Sequence, residues 1–429
     1  MAGRARPANA LCGGRALSIG FRSGSGGLLS PQVGDRGGGP GAPHRLGRVL
    51  YRTASARPCV VAGAGAGRSG RALCPFGRGS GGLNVHLSFP WETAPDIGEA
   101  VEVADGVLWF RLPLPMKLDH VNVFAFDEGD GWTLIDTGFD SKKTRAIWEG
   151  LLAGPLGGKP IKRLIVTHHH PDHIGLAGWF QREHGAELVT TRTAWLMARM
   201  LRLDEHEKPV DETLAFWRSA GMDRAIYEQR ARERPFNFAD VVAELPLGFT
   251  RVKEGDTITF GGRTWDVRIG NGHAPEHATF WSQDDNLVHG GDQLLATISP
   301  NLGVYATEPE ADPVGEWLES CRKLIHFARD EQLVLPGHKL PYKGLPTRMR
   351  QLIQNHHSAL ERLEAYLDTP KTAVECFPAI FKRTIGEGEY GLALVEALAH
   401  LNHLFQTGKV TRTRRDDDAW LWQAKGGRA

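Results

Sequence analysis

The sequence predicts an α/β protein in which helical layers cover β-sheets. Short β-branched and aromatic runs, bounded by Gly and Asp turns, alternate with helix-period segments between residues 101 and 335. Such an alternation is typical of sheets that carry helices on their faces. Hydrophobic residues make up 41% of the 429 positions, which is enough for a large core.

Residues 1–86 differ in composition from the rest of the chain. They are rich in Gly, Arg, Ala and Ser, contain no Lys, and have one acidic residue, Asp35. A segment of this kind buries too little apolar surface to offset the entropy of ordering it. We interpret it as a disordered Gly/Arg-rich extension of a cytoplasmic protein. The alternative is an organelle transit peptide, which would direct the protein to mitochondria.

Strands and helices alternate once order begins near Leu87. The first strands are predicted at Val101–Leu112, Val121–Phe126, Trp132–Ile135, Lys162–Val166 and Glu187–Thr190. Helices are predicted at Ser141–Leu152 and from about Ile174 to His184. Residues 192–245 then become helical and amphipathic, and we interpret them as a helical insertion over the core.

Strands return after the insertion and complete a main domain at residues 87–345. They are predicted at Phe249–Val252, Thr257–Phe260, Thr264–Ile269, Ala278–Ser282, Leu287–His289 and Gln332–Leu335, with a helix at Pro313–Ala328. Residues 346–429 are predicted as a small C-terminal domain. A helix from Thr347 to about Leu367 leads into it, and an apolar-periodic helix follows at Gly391–Phe405. Two short strands after that helix complete the outline of a winged helix.

Composition excludes several classes of function. Lys and Arg total 51 against 50 Asp and Glu, which gives a net charge of +1 and argues against a dedicated polyanion binder. The longest apolar runs are strand-sized, so no segment is predicted to span a membrane. The five cysteines show no CxxC pairing or framework spacing, which favours a reducing compartment.

The segment Thr167–His173 carries four candidate metal ligands. It reads Thr-His-His-His-Pro-Asp-His and follows a β-branched strand. Imidazole and carboxylate groups suit zinc and neighbouring transition metals. His168 and His170 stand two apart in an extended segment, so both side chains can point to one side. Asp172 and His173 follow a proline turn and can face a second metal position.

Further ligands are expected downstream, because this segment completes neither position. The sequences Gly-His-Ala-Pro-Glu-His, Gly-Gly-Asp and Pro-Gly-His follow predicted strands and supply His273, Asp292 and His338. Neighbouring glycines let the backbone approach closely at these loops. We expect His169 to point away from the metal positions. His277 and His289 are predicted to be buried core histidines or supports of the ligands.

The chain resembles the metallo-β-lactamase superfamily over about residues 100 to 345. The family signature HxHxDH and the later His, Asp and His of the family match, in order, His168, His170, Asp172, His173, His273, Asp292 and His338. The early Asp-Thr-Gly of the family matches Asp136-Thr137-Gly138, in which the aspartate usually supports the ligands. Ala274 and Glu276 depart from the frequent Gly-His-Ser/Thr-Pro-Gly-His.

The resemblance implies a four-layer αββα sandwich with two metal ions. One metal would be held by His168, His170 and His273, the other by Asp172, His173 and His338, with Asp292 between them. Two Zn²⁺ per chain are expected, although Fe or Mn would suit the same ligands. The pair would activate a water molecule for hydrolysis, with Asp172 as the catalytic residue that orients it or accepts its proton.

The substrate is less constrained than the metal centre, since one fold hosts many reactions. We expect a small-molecule thioester, lactone or other ester, because the main domain is not markedly basic. The alternative is a single-strand endoribonuclease, because the C-terminal domain resembles the branch containing lactamase-β-like endoribonucleases and related thioesterases. Basic candidates for RNA contact are Lys339, Lys343, Arg348, Arg350, Arg412, Arg414 and Arg415. A metal-binding winged-helix regulator and a homodimer formed through that domain are further alternatives.

Overall fold

Two β-sheets lie face to face at the centre of the protein. They are seen in a computed structural model that describes residues 86–426. The proposed extension at residues 1–86 lies outside the described part apart from its last residue, as do Cys12, Cys59 and Cys74.

Seven strands form the first sheet, in the order in which they occur along the chain. They are β1 Val101–Ala104, β2 Val107–Pro113, β3 His120–Asp127, β4 Trp132–Ile135, β5 Ile161–Ile165, β6 Glu187–Thr190 and β7 Thr250–Arg251. The strands pair antiparallel from β1 to β4 and parallel from β4 to β7. Because β4 and β5 are parallel, their carboxyl ends meet at one edge of the sheet.

Five strands form the second sheet, in the order β12-β11-β10-β9-β8. They are β8 Thr257–Phe260, β9 Arg263–Gly270, β10 His277–Ser282, β11 Leu287–Gly291 and β12 Leu333–Pro336. Strands β11 and β12 are parallel and the other pairs antiparallel. The carboxyl ends of β11 and β12 therefore also share one edge.

Helices cover the outer face of each sheet and form the insertion and the C-terminal part. They are α1 Lys142–Ala153, α2 Pro171–Ile174, α3 Ala177–Glu183, α4 Arg192–Leu203, α5 Asp211–Ser219, α6 Arg224–Arg230, α7 Pro313–Leu324, α8 Leu345–Tyr366, α9 Phe377–Phe381 and α10 Tyr390–Gln406. The insertion contains α4, α5 and α6, as predicted. A two-stranded hairpin, β13 Val410–Arg414 and β14 Trp420–Ala424, follows α10.

Three apolar clusters confirm the predicted four-layer sandwich. The first fills the space between the sheets, with Phe124 from one and Phe280 from the other. The second joins the first sheet to α1 and α3, where Trp148 packs edge-on against Phe180. The third joins the second sheet to α7, α8 and α10. Burial of apolar area in these layers is the main force that holds the sandwich together.

The single helix predicted from about Ile174 to His184 is interrupted. Helix α2 ends at Ile174 and α3 begins at Ala177. The Gly175 carbonyl accepts a hydrogen bond from Ala243 N (2.7 Å), and Leu176 N donates to Thr137 Oγ1 (3.0 Å). The chain breaks the helix here because these tertiary partners replace helical ones.

The C-terminal part shares its core with the main domain. Leu394 and Leu398 of α10 lie in the same buried cluster as Trp317 of α7 and Val288 of β11. Helix α10 and the β13–β14 hairpin agree with the predicted helix, strand, turn and strand. The short helix α9 was not predicted. The winged-helix assignment and the boundary at residue 345 remain predictions.

A buried histidine pair between α8 and α10 should make stability depend on pH. His356 and His400 are 4% and 1% exposed, and their rings stack with centroids 5.6 Å apart. Burial lowers the pKa of His356 to about 3 and of His400 to about 4. The unfolded side chains titrate near about 6.5, so the unfolded state binds more protons below that pH. Each histidine should therefore cost about 1.4 kcal/mol of stability per pH unit as pH falls from about 6.5 towards 4.

Urea unfolding of the wild type and His356→Leu across this pH range tests the effect. The variant should lose stability less steeply on acidification, by the contribution of one histidine. Parallel curves for the two proteins would show that His356 is not held neutral by burial.

Among residues 86–426, no helix combines the length and the apolar character that crossing a bilayer requires.

Candidate metal centre

The candidate ligands lie at one edge of the sandwich, at or just beyond the ends of strands. The loop after β5 carries His168 and His170, the short helix α2 that follows carries Asp172 and His173, and the loop between β9 and β10 carries His273. Asp292 directly follows β11, and His338 follows β12 by two residues. Parallel strands bring their carboxyl ends together, which places loops distant in sequence next to one another.

Three imidazoles from two loops converge on one position. His168 Nε2 lies 3.0 Å from His170 Nδ1, which lies 3.0 Å from His273 Nε2. The three ligand atoms lie within 4.8 Å of one another. Three imidazole nitrogens that face one another at these distances are a suitable donor set for a transition metal.

A second position adjoins the first and contains both carboxylates. His338 Nε2 lies 3.4 Å from Asp172 Oδ2, and His173 Nε2 lies 3.5 Å from the same oxygen. Asp292 Oδ2 lies 3.3 Å from His273 Nε2 and 3.2 Å from His338 Nε2. Asp292 therefore lies between the two positions, with Oδ2 within 3.3 Å of a candidate ligand from each.

The outer ring nitrogens of four histidines are fixed by hydrogen bonds. The bonds run from His168 Nδ1 to Thr167 Oγ1 (2.9 Å), from His173 Nδ1 to Asp136 Oδ2 (2.8 Å), from His273 Nδ1 to Asn301 O (2.8 Å) and from His338 Nδ1 to His120 O (2.7 Å). A donor bond at Nδ1 leaves the lone pair on Nε2, which faces the centre in each case.

Asp136 is the hub of this outer layer. Its carboxylate accepts hydrogen bonds from Thr167 N (2.9 Å) and Thr167 Oγ1 (2.9 Å), besides that from His173. Its backbone has φ +64°, a left-handed conformation that is uncommon for a side chain other than glycine. Its hydrogen bonds to Thr167 and His173, the two ends of the segment that carries the ligands, hold Asp136 in this conformation. Asp136 thus has the supporting role predicted for it.

Two buried atoms show that the pocket fits a cation. His173 Nε2 and Asp292 Oδ1 are buried and lie 3.5 Å apart, and neither makes a hydrogen bond within residues 86–426. Buried polar atoms without a hydrogen bond lower stability, and a metal ion bound between these two would give both a partner. Gly337 closes the wall, since a Cβ at this residue would lie 2.1 Å from Asp292 Oδ1.

The charges of the two halves differ. Burial lowers the pKa of His168 and His170 well below the usual value, so both rings are neutral and free to bind metal. Burial also lowers the pKa of His338, but Asp292 and Asp172 outweigh it and raise the pKa to about 10. The carboxylates of Asp172 and Asp292 therefore stabilise positive charge beside them. A divalent cation would supply that charge in place of a proton on His338.

His169, His277 and His289 belong to none of the candidate metal groups found among the described residues. The ring of His277 stacks on His168 with centroids 4.5 Å apart, and its Nε2 accepts a hydrogen bond from Asp292 N (3.1 Å). His289 packs edge-on against Phe124 in the inter-sheet core.

Sequence patterns did not reveal His120 and Asn301. Both act through backbone carbonyls, which every residue possesses, so no residue type marks them. Glu276 is a different case, because it stands where the family frequently has glycine. Its φ is +51°, and its carboxylate accepts a hydrogen bond from Thr193 N (2.8 Å) at the start of α4. That contact compensates for a conformation that glycine adopts without strain.

Comparisons with known proteins agree with this geometry. Residues 116–363, more than half of the chain, match the sequence profile of the Metallo-beta-lactamase superfamily. Residues 360–425 match that of the Metallo-beta-lactamase-like, C-terminal domain. A probable metallo-hydrolase, YqjP, of Bacillus subtilis (strain 168) is 26% identical over 316 residues, covering 72% of this chain and 94% of that protein.

Two further relatives are informative. The crystal structure of a beta-lactamase domain protein from Burkholderia ambifaria is 34% identical, with a TM-score of 0.72, and covers 79% of this chain and 98% of that one. A hydroxyacylglutathione hydrolase of Rhizobium johnstonii is 24% identical over 223 residues, covering 52% of this chain and 63% of that protein. The chain belongs to the metallo-β-lactamase superfamily and is a metal-dependent hydrolase.

Proposed function

We propose that this protein hydrolyses a small-molecule thioester, lactone or other ester at a centre of two zinc ions. The observation that carries the proposal is the convergence of seven side chains on two adjacent positions. His168, His170 and His273 would hold one ion. The other would be held by Asp172, His173 and His338, with Asp292 shared.

The chain's own residues would organise the reaction around these ions. Bound cations supply Lewis acidity, which lowers the pKa of water and polarises a scissile carbonyl. The side chain of Asp172 is 17% exposed and that of Asp292 7% exposed, so Asp172 is the carboxylate nearer to solvent. Asp172 would orient the attacking water and accept its proton. Asp136 would hold the His173 ring in place while this happens.

A carbonyl substrate is favoured by one relative's name. Hydroxyacylglutathione is, by its chemical name, an acylated thiol, and the Rhizobium johnstonii relative is named for its hydrolysis. On the loop that carries Asn301, Tyr305 is 48% exposed and offers an aromatic surface. We propose that this loop contacts the substrate.

Three of the arginines considered as candidates for RNA contact already interact with groups of the protein itself. Arg412 pairs with Glu310 (2.9 Å) and stacks over the Trp420 ring (4.3 Å). Arg415 pairs with Asp417 (2.8 Å). Arg348 is 5% exposed and donates to a backbone carbonyl at 2.7 Å, so its assignment to phosphate contact was wrong. Cations already neutralised add little to phosphate affinity.

A panel of substrates separates the two hydrolytic functions. Zinc-loaded protein should cleave acyl-thioesters, simple esters or lactones in preference to β-lactams and single-stranded RNA. Hydrolysis would be followed by release of thiol or acid, with metal-free protein as the control. Cleavage of RNA without any ester hydrolysis would overturn the proposed substrate class while leaving the metal centre in place.

A further inference from the structure

An irregular loop supports the candidate ligand His273 from outside the metal centre. Residues 295–312 contain no helix or strand. The Asn301 carbonyl in this loop accepts the hydrogen bond from His273 Nδ1 (2.8 Å). The orientation of the His273 ring therefore depends on where Asn301 lies, and a loop without regular structure does not fix that position by itself.

The C-terminal helix α10 holds this loop at Asn301. Asn301 Nδ2 donates to Glu396 Oε2 (2.9 Å) and to the Leu392 carbonyl (3.2 Å). Three residues further on, Val304 N donates to the Val395 carbonyl (3.1 Å). About one turn of α10 thus accepts two hydrogen bonds from the Asn301 side-chain amide and one from the loop backbone.

The same helix holds the far end of the loop through different residues. Asn402 Nδ2 donates to the carbonyls of Pro309 and Ala311, both at 2.9 Å. Gln406 Nε2 donates to the Glu310 carbonyl at 2.6 Å. These bonds stabilise the loop but lie eight or more residues from Asn301, which offers a matched control.

The carboxyl group of Glu396 is directed at the Asn301 loop. Within residues 86–426, the hydrogen-bond partner of its carboxylate is Asn301 alone. The side chain is partly buried on α10, between the buried residues Val395 and Ala397. Holding a carboxyl group there without a partner would be costly, so the bond to Asn301 is strongly favoured.

We propose that Glu396 is a positioning residue for the metal centre, acting through Asn301 to orient His273. The C-terminal part of the chain is then a component of the active site, although none of its described residues belongs to a candidate metal group. The inference rests on His273 as a metal ligand in the proposed function and is independent of the substrate. Removing an outer partner of a ligating histidine weakens metal binding by about 10- to 100-fold.

Zinc affinity of the full chain tests the inference. Zn²⁺ would be titrated against a chromophoric chelator for the wild type, Glu396→Leu, Glu396→Gln and Asn402→Ala. Glu396→Leu should weaken one of the two zinc sites by about 10- to 100-fold and leave the other unchanged. Glu396→Gln should stay close to the wild type, because the glutamine oxygen can accept the same bond. Burial raises the pKa of the Glu396 carboxyl to about 7, so a neutral amide is a fair mimic.

Asn402→Ala separates positioning from general loosening. It should lower the thermal unfolding midpoint without changing either zinc affinity. If Glu396→Leu does not fold, Asn301→Ala replaces it, since this variant keeps the carbonyl and loses only the bonds to α10. Wild-type zinc affinities in Glu396→Leu or Asn301→Ala, or equal weakening in Asn402→Ala, would overturn the inference alone. A wild type that binds no zinc would overturn the proposed function with it.

Discussion

Replacing Asp172 with alanine should lower turnover by about 10²- to 10⁴-fold, the range usual for loss of a general acid or base. The variant loses a carboxylate that lies 3.4 Å from His338 Nε2 and 3.5 Å from His173 Nε2. It therefore loses both a metal ligand and the group proposed to accept the proton from water. Ester hydrolysis under saturating zinc, with far-ultraviolet circular dichroism to confirm folding, is the measurement.

The Asp285→Asn variant is the matched control. Asp285 pairs with Arg263 at 2.6 Å and lies in the turn between β10 and β11, away from the ends of these strands that reach the metal centre. It should keep wild-type turnover. A folded Asp172→Ala protein with more than a small part of the wild-type activity would contradict the proposed role of Asp172.

Adding one methyl group at Gly337 should also inactivate the enzyme. The new Cβ would lie 2.1 Å from Asp292 Oδ1 and 2.9 Å from His173 Cε1, so both candidate ligands must move. Overpacking of this kind costs about 1–3 kcal/mol of stability. A displacement of about 1 Å at a reacting centre can cost about 10²-fold in rate. Gly337→Ala should therefore show a large loss of turnover with a modest loss of stability.

Gly386→Ala provides the comparison, because a Cβ there meets no atom within 4 Å and the residue has φ −81°. Its activity and unfolding midpoint should match the wild type. Metal content measured on both variants adds a second observable. Full metal content and full activity in Gly337→Ala would contradict the prediction, because they would show that the site accommodates a Cβ beside Asp292 without displacing the ligands.

The sequence identified the candidate ligands that the structure brings together, because residue type decides which side chains can bind metal. His168 and His170 belong to a short contiguous motif, and His273, Asp292 and His338 each follow a strand. Strand ends are predictable from apolar patterns, and parallel strands bring their ends together. The two sheets and the insertion were predictable for the same reason.

The outer layer was not predictable, because it depends on contacts between distant backbone groups. His338 bonds to a carbonyl 218 residues away, and any residue at position 120 could provide it. The break in the helix at Gly175 has the same origin, since Thr137 and Ala243 supply the competing partners. The periodicity of α10 revealed an apolar helix but not that it packs against α7 and holds the Asn301 loop.

The transition-metal content of the purified full chain, measured by elemental analysis, tests most directly whether two cations occupy this edge of the sandwich. After loading with zinc and removal of excess metal, about two ions per chain are expected, one at the position of His168, His170 and His273 and one at that of Asp172, His173 and His338. Folded protein that retains no stoichiometric transition metal under these conditions would contradict a metal-activated mechanism.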